Sequence, residues 1–350
     1  MRTLVHVGNG RLSLEELPDL IAGDEEAILT VQGSAVCIAD AETLHGYGPV
    51  MNTPLALGHE IVGVVSAVGA KAPANLKAAL GQRVIVDDAR PCGVCEWCQS
   101  GQRRYCKAPR YGHIVEQPGT RNWGGYADAL TLDRHSVLIP VPEDLPIELA
   151  TFIVPVGSGV EWLILDSQLQ PGERVAVLGT SRMGLAACVV ALHQRAREIV
   201  LYGHSGGTDA VRVAQALGIM VRGEPTERKP GELYDVVVVV TETPAAYAAH
   251  AVEMAAVRGR VVLACTSMES SGLVPELVRR KGLTLRGGRG ASELALKRAV
   301  EVVNAQRAVL TGKLGERHGL EEAEQHIKGL LRDGVARGAH MVISAQTERP

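Results

Sequence analysis

The sequence predicts an α/β protein of two parts, a β-rich, barrel-like region followed by a doubly wound parallel sheet. Three observations carry that expectation. The first 150 residues hold short β-type runs broken by Gly and Pro. From Pro171 onward, continuous Val, Leu and Ile runs alternate with helical patterns, as strands covered on both faces require. The length, 350 residues, exceeds that of a typical single domain.

In the first part, residues 27–31, 61–68 and 83–86 read as strands, and 91–108 as an inserted cysteine loop. The run VPEDLPIELA at 141–150 reads as a surface connection into the second part. There the expected order is strand 174–178, helix 183–196, strand 199–202, helix 209–217, strand 235–241, helix 244–256 and strand 260–264. A short helix at 275–279 and a strand at 283–286 follow. Helices at 294–305 and 320–331 and a strand at 338–344 end the chain. The expected domains are 1–150, 151–291, and a segment 292–350 that completes the first. Right-handed crossovers make a doubly wound sheet the natural arrangement of the middle part.

Hydrophobic residues make up 46% and charged residues 21%, ordinary values for a globular protein. With one Phe, three Trp and seven Tyr, the core must be aliphatic. The net charge of −3 leaves no basic footprint for nucleic acid. No apolar run reaches membrane-spanning length, so no membrane partner is expected. The start, MRTLVHVGNGRLSLEELP, lacks signal-peptide anatomy, which makes a cytoplasmic location the expectation.

The strongest motif is Cys92-x2-Cys95-x2-Cys98-x7-Cys106. An odd total of seven cysteines argues against a disulfide framework, and four of them fall within fifteen residues. Four thiolates suit tetrahedral zinc, and a closed four-sulfur site has a structural role. Gly93 and Gly101 supply the turns. An iron–sulfur cluster uses the same ligands and is the rival reading.

The second motif is Gly179-Thr180-Ser181-Arg182-Met183-Gly184, directly after the strand RVAVL and opening a helix. It matches the dinucleotide fingerprint G-x-G-x-x-G, with serine at the middle glycine. Amides at the helix N-terminus would hold a pyrophosphate. The next strand ends in Gly203, His204 and Ser205, where an NAD site carries an acidic residue. Without that carboxylate, NADP(H) is expected over NAD(H), with Arg212 a further candidate nearby.

In chain order, Gly58-His59-Glu60-Ile61-Val62-Gly63, the cysteine lobe, Trp123-Gly124-Gly125-Tyr126-Ala127 and the nucleotide turn resemble the medium-chain zinc-containing alcohol dehydrogenase family. The resemblance covers nearly the whole chain and is nearer to polyol, sugar and threonine dehydrogenases than to enoyl reductases. It implies a GroES-like catalytic domain, a Rossmann nucleotide domain, an active site between them, and a homodimer or homotetramer. It also implies a catalytic zinc on Cys37 and His59, with Asp40 orienting His59 and Glu60 a direct or alternating ligand. Arg289, in the run RGGRG at 286–290, falls where the family brings backbone near the nicotinamide.

Two residues depart from the family pattern. Ala39 stands where a hydroxyl usually relays a proton, leaving His45, Glu42 or water to do so. Val154 stands where a Glu-Pro pair often supplies the third zinc ligand, and Glu161 is a distant substitute. The catalytic zinc is therefore open between binding on Cys37, His59 and Glu60 and loss of the metal. Cys188 and Cys265 are expected to be packing residues. The resemblance implies interconversion of a secondary alcohol and a ketone, and the expectation of NADP(H) favours the reductive direction. Few aromatics suggest a hydroxylated ketone of sugar, polyol or cyclitol type. The alternatives are a zinc-independent quinone or enoyl reductase, and a non-catalytic nucleotide-binding protein.

Overall fold

A computed structural model describes residues 1–44, 54–112, 121–203, 209–240, 245–265, 270–332 and 340–344. The chain divides into two compact units. The first holds Met1–Thr151, Gly315–Ala336 and His340–Pro350, and the second holds Phe152–Leu314 with Arg337–Ala339.

The first unit is built on the strand Ala27–Ala35, which pairs antiparallel with both Glu60–Val68 and Ala129–Leu132. Arg83–Val86 and Leu138–Pro140 extend the sheet on one side. Met341–Ile343 and Glu316–His318 extend it on the other. The central strand is buried at all positions but Thr30 and Gln32, which are half-buried, because it is covered on both faces. Register shifts between Ile28 and Leu29 and between Val31 and Gly33 bend it, as closure of a barrel requires. Leu29, Val31, Ile61, Val65, Val84 and Leu130 fill the interior, the aliphatic core the composition predicts.

Four tyrosines, Tyr111, Tyr126, Tyr202 and Tyr234, are fully buried, and each hydroxyl has a partner. Tyr111 meets Ser136 at 2.5 Å, Tyr202 meets Tyr234 at 2.8 Å, and Tyr126 donates to Asp40 at 2.7 Å. A buried phenol without such a partner would be costly.

The second unit holds a six-stranded, all-parallel sheet among the described residues. Its strands run Met220–Arg222, Glu198–Tyr202, Arg174–Leu178, Tyr234–Val239, Ala255–Leu263 and Thr284–Gly287. Numbered within the unit, the order is 3-2-1-4-5-6, the doubly wound order the sequence predicts. Its reversal lies between Arg174–Leu178 and Tyr234–Val239, and such sheets take ligands at that point.

Four readings need correction. The run 141–150 is not a surface connection throughout: a helix, Ile147–Val160, begins inside it, and Leu145, Leu149 and Ala150 are buried. With Glu161–Asp166 this becomes a 20-residue apolar helical stretch, long enough by composition to cross a membrane. Its apolar window is 83% buried, as in a core helix. The helix Glu293–Ala305 folds with the second unit rather than with the C-terminal return, because Ala295, Leu296 and Ala299 are buried there. The edge strand Met220–Arg222 is a further element, whose apolar run at 219–221 is too short to announce a strand.

Replacing Leu29 by Ala is expected to cost about 2–5 kcal/mol, through lost burial and an unfilled cavity. Urea unfolding followed by circular dichroism measures it.

Candidate active site and metal centres

Backbone pairing brings Cys37 and His59 together. Ala35 pairs with Glu60, so Cys37, two residues beyond Ala35, and His59, one before Glu60, leave the same end of the ladder. Gly58 has φ of +92°, and a Cβ there would lie 2.8 Å from the Tyr126 ring and backbone. Glycine is therefore required for the turn that delivers His59. One ligand atom from each of Cys37, His59 and Glu60 lies within 4.8 Å of the others. His59 and Glu60 are buried, and Cys37 is partly buried.

Asp40 organises this cluster. It lies in the first turn of the helix Ile38–Leu44, where its Oδ2 accepts from the Cys37 N–H at 2.9 Å. That is the reach of a third-position carboxylate back to the helix cap. The same oxygen accepts from the Tyr126 hydroxyl, and Oδ1 sits 3.3 Å from His59 Nδ1. A carboxylate against Nδ1 fixes the tautomer and presents Nε2 to a metal.

Burial pushes the Asp40 carboxyl up, but the His59 charge and hydrogen bonds from His59, Cys37 and Tyr126 hold it below its ordinary value. Burial likewise pulls His59 down, and Asp40 and Cys37 outweigh it, raising the imidazole well above 6.5.

A thiolate, an imidazole and a carboxylate form a three-ligand set suited to zinc, which leaves a fourth position for substrate or water. The set needs nothing from Val154, which lies in the helix Ile147–Val160. Glu161 is engaged within the second unit, where its Oε2 accepts the Ser292 N–H at 2.8 Å, at the start of the helix Glu293–Ala305. His45 lies outside the described residues, as do His204 and Ser205.

The four lobe cysteines also converge, with all sulfurs within 4.8 Å and Cys92 Sγ 4.0 Å from Cys98 Sγ. A tetrahedron with metal–sulfur bonds of about 2.3 Å has edges of about 3.8 Å. The spacing fits one ion better than a multi-iron cluster, whose cysteines stand farther apart. Gly93 and Gly101 take positive φ at the two turns. Backbone N–H groups of Val94 and Cys95 hold the Cys92 thiol down at about 6, favouring the thiolate a metal needs. Arg90 stacks 3.7 Å above the Trp123 ring and pairs with Asp133 beside the lobe. Cys188 is fully buried and burial pushes its thiol up, while Cys265 packs on the sheet core, so both fit packing roles.

In the second unit, Gly179 leaves the strand Arg174–Leu178 with φ of +122°, and Ser181 caps the helix Arg182–His193. A Cβ on Gly184 would meet Gly179 O at 2.0 Å, so helix and strand approach too closely for any other residue. The Ser181 hydroxyl is buried without a hydrogen-bond partner at this N-terminus. Arg182 and Met183 are partly buried in the first turn. Thr180 packs against Gly203, where a Cβ would come within 3.0 Å of its methyl group. An orphaned hydroxyl, a glycine cradle and a helix dipole fit a pyrophosphate. Arg212 is exposed and paired with Asp209, and Arg222 bonds Glu232 and Tyr202. Arg289 is exposed beyond the edge strand Thr284–Gly287.

Residues 23–143 match the alcohol dehydrogenase GroES-like domain family. Over 96% of both chains, the protein is 32% identical to a probable alcohol dehydrogenase of Mycobacterium tuberculosis. The chain belongs to the medium-chain alcohol dehydrogenase family. Its first unit is the GroES-like domain and its parallel sheet the Rossmann-like one. This alcohol dehydrogenase is also 34% identical to acryloyl-coenzyme A reductase of Sulfurisphaera tokodaii, over 63% of this chain and 57% of that one. Galactitol-1-phosphate dehydrogenase from Escherichia coli shares the fold, with a TM-score of 0.81, 20% identity, and coverage of 98% and 100%.

Sequence reasoning noted the WGGYA run but gave Tyr126 no role. Its partner Asp40 lies 86 residues away, and no local pattern joins the two.

Asp40→Asn is expected to lower metal affinity at Cys37, His59 and Glu60 by about 10–100-fold, with the lobe metal retained. Metal analysis after dialysis against a chelator measures it. In the metal-free protein the raised His59 is protonated at neutral pH, so a metal must displace that proton. Zinc affinity should therefore rise from pH 6.5 upward by about tenfold per unit for this proton, levelling off above the His59 pKa. Competition with a chromophoric chelator reads the slope.

Proposed function

We propose that this alcohol dehydrogenase reduces a hydroxylated ketone, of sugar, polyol or cyclitol type, to the secondary alcohol with NADPH. The observation that carries the reading is the convergence of Cys37, His59 and Glu60, held by Asp40. When bound, zinc supplies Lewis-acid polarisation of an oxygen, and the nicotinamide supplies hydride. Cys37, His59 and Glu60 hold the metal, and Asp40 keeps Nε2 of His59 turned toward it. Gly179, Thr180, Ser181, Arg182, Met183 and Gly184 bind the pyrophosphate, with Arg289 near the nicotinamide. The four-cysteine lobe holds a structural zinc and takes no part in the chemistry.

Ala39 has no hydroxyl to donate. The proton for the product alkoxide passes through His45, Glu42 or water. NADPH is favoured because Gly203 follows the second strand, so no carboxylate there opposes a 2′-phosphate. The assembly is proposed to be a homodimer or homotetramer.

A second reading, reduction of an activated alkene, is favoured by Ala39 and by the similarity to acryloyl-coenzyme A reductase. One set of measurements separates the two. Wild-type protein should contain two zinc ions per chain and Cys37→Ala one, with kcat on a polyol ketone falling about a hundredfold or more. NADPH should exceed NADH in kcat/KM by about tenfold or more, a difference of about 1.4 kcal/mol. One zinc in both proteins, with turnover of an enoyl thioester and not of the ketone, would establish the second reading instead.

A further inference from the structure

A third cluster of metal-ligating side chains lies apart from the candidate active site and the cysteine lobe. The edge strand Glu316–His318 is followed, after Gly319, by the helix Leu320–Arg332. The strand pairs in parallel with Met341–Ile343. The helix buries Leu320, Ala323 and Ile327 in the core shared with Ala41 and Leu44 of the Asp40 helix. Glu322 and His326, one turn apart, form a second face of the helix. His318, at the end of the strand, completes a group with them, and one ligand atom of each lies within 4.8 Å of the others.

The contacts inside the group are close. The His318 and His326 rings have centroids 3.7 Å apart and are tilted by 38°. His318 Nδ1 is 3.4 Å from Glu322 Oε2. That carboxylate also accepts the Gly319 N–H at 3.2 Å, which fixes it over the start of the helix. His318 Nε2 is buried without a hydrogen bond, and the exposed Glu316 carboxylate lies 3.5 Å away. The arrangement brings lone pairs together from a strand end and from two turns of a helix.

We propose that His318, Glu322 and His326 form a binding site for one divalent transition-metal ion of the zinc class, clipping the edge strand to the helix. Two imidazole nitrogens and one carboxylate oxygen select zinc, cobalt or nickel over magnesium and calcium, which want oxygen alone. Water or Glu316 fills the remaining position. The site contains no sulfur, lies outside the chemistry of Cys37, and closes a link between His318 and His326 across the first turns of the helix. Its effect is on stability: metal bound to the folded chain raises the melting midpoint as its concentration rises.

The test adds Co2+ to purified protein whose cysteine sites already hold zinc. One further equivalent should bind and give visible d–d absorption without a thiolate-to-cobalt charge-transfer band. The melting midpoint should rise with it. His326→Gln, which leaves buried His318 in place, and separately Glu322→Gln should both keep the zinc content and melting midpoint of the untreated protein. Both should lose the further equivalent and the rise. No further equivalent in the wild type, an unchanged equivalent in both variants, or a charge-transfer band showing cobalt on cysteine would each overturn the proposal.

Discussion

A buried carboxylate, Asp40, is the constraint on which the candidate active site rests. It is 1% exposed, and leaving a charge so deep in protein without full compensation would cost several kcal/mol. Compensation comes from three elements far apart in sequence. The Cys37 N–H closes the cap of the Ile38–Leu44 helix, the Tyr126 hydroxyl arrives from the segment after Gly125, and His59 arrives from the mouth of the Glu60–Val68 strand. Each donor that stabilises the carboxylate is thereby placed at, or in support of, the candidate ligands Cys37 and His59. Removing a donor strains the fold and the site together, because they use the same bonds.

That coupling explains the glycines around it. Gly58 adopts a conformation that side chains avoid and makes room for the Tyr126 ring. Gly124 lies so close to Ala56 and Leu57 that a Cβ would approach their backbone to 2.5 Å, and a Cβ on Gly125 would strike Ser34 and Ile61. With side chains there, Tyr126 could not lie over Gly58 and reach Asp40. The Gly-His-Glu and Trp-Gly-Gly-Tyr runs are thus two halves of one packing arrangement. The backbone confirms it, since Leu57 O and Gly58 O accept from Tyr126 and Gly125.

Much of this was legible in the sequence wherever function depends on local spacing. The four cysteines fall within one loop, and the nucleotide turn occupies six consecutive residues, so a linear pattern displays both. The parallel sheet announced itself by runs such as DVVVVV, which only a strand buried on both faces can carry. Three things were hidden. The role of Tyr126 depends on a contact across 86 residues. The helix start at Ile147 was masked by Pro142 and Pro146, which read as loop punctuation although proline is accepted at a helix start. The His318 cluster joins a strand residue to a helical pair, so neither periodicity contains it.

The departures from the family pattern acquire a physical meaning in the electrostatics of the cluster. Val154 removes a carboxylate from one ligand position, yet Glu60 is 3% exposed next to His59. Cys37, Glu60 and Asp40 bring one thiol and two carboxyls around a single imidazole. With the thiol ionised and His59 neutral, as metal ligation requires, the cluster would carry three negative charges within a few ångströms. Such charges repel strongly in a medium of low dielectric constant. A dication cancels most of that charge, and the largest local charge then belongs to the metal. Without one, the raised His59 proton is a partial substitute that offsets one of those charges. On the proposed reading, the carboxylate missing at Val154 is replaced by Glu60 on the Gly58–Glu60 turn, which strand register places beside His59 and Cys37.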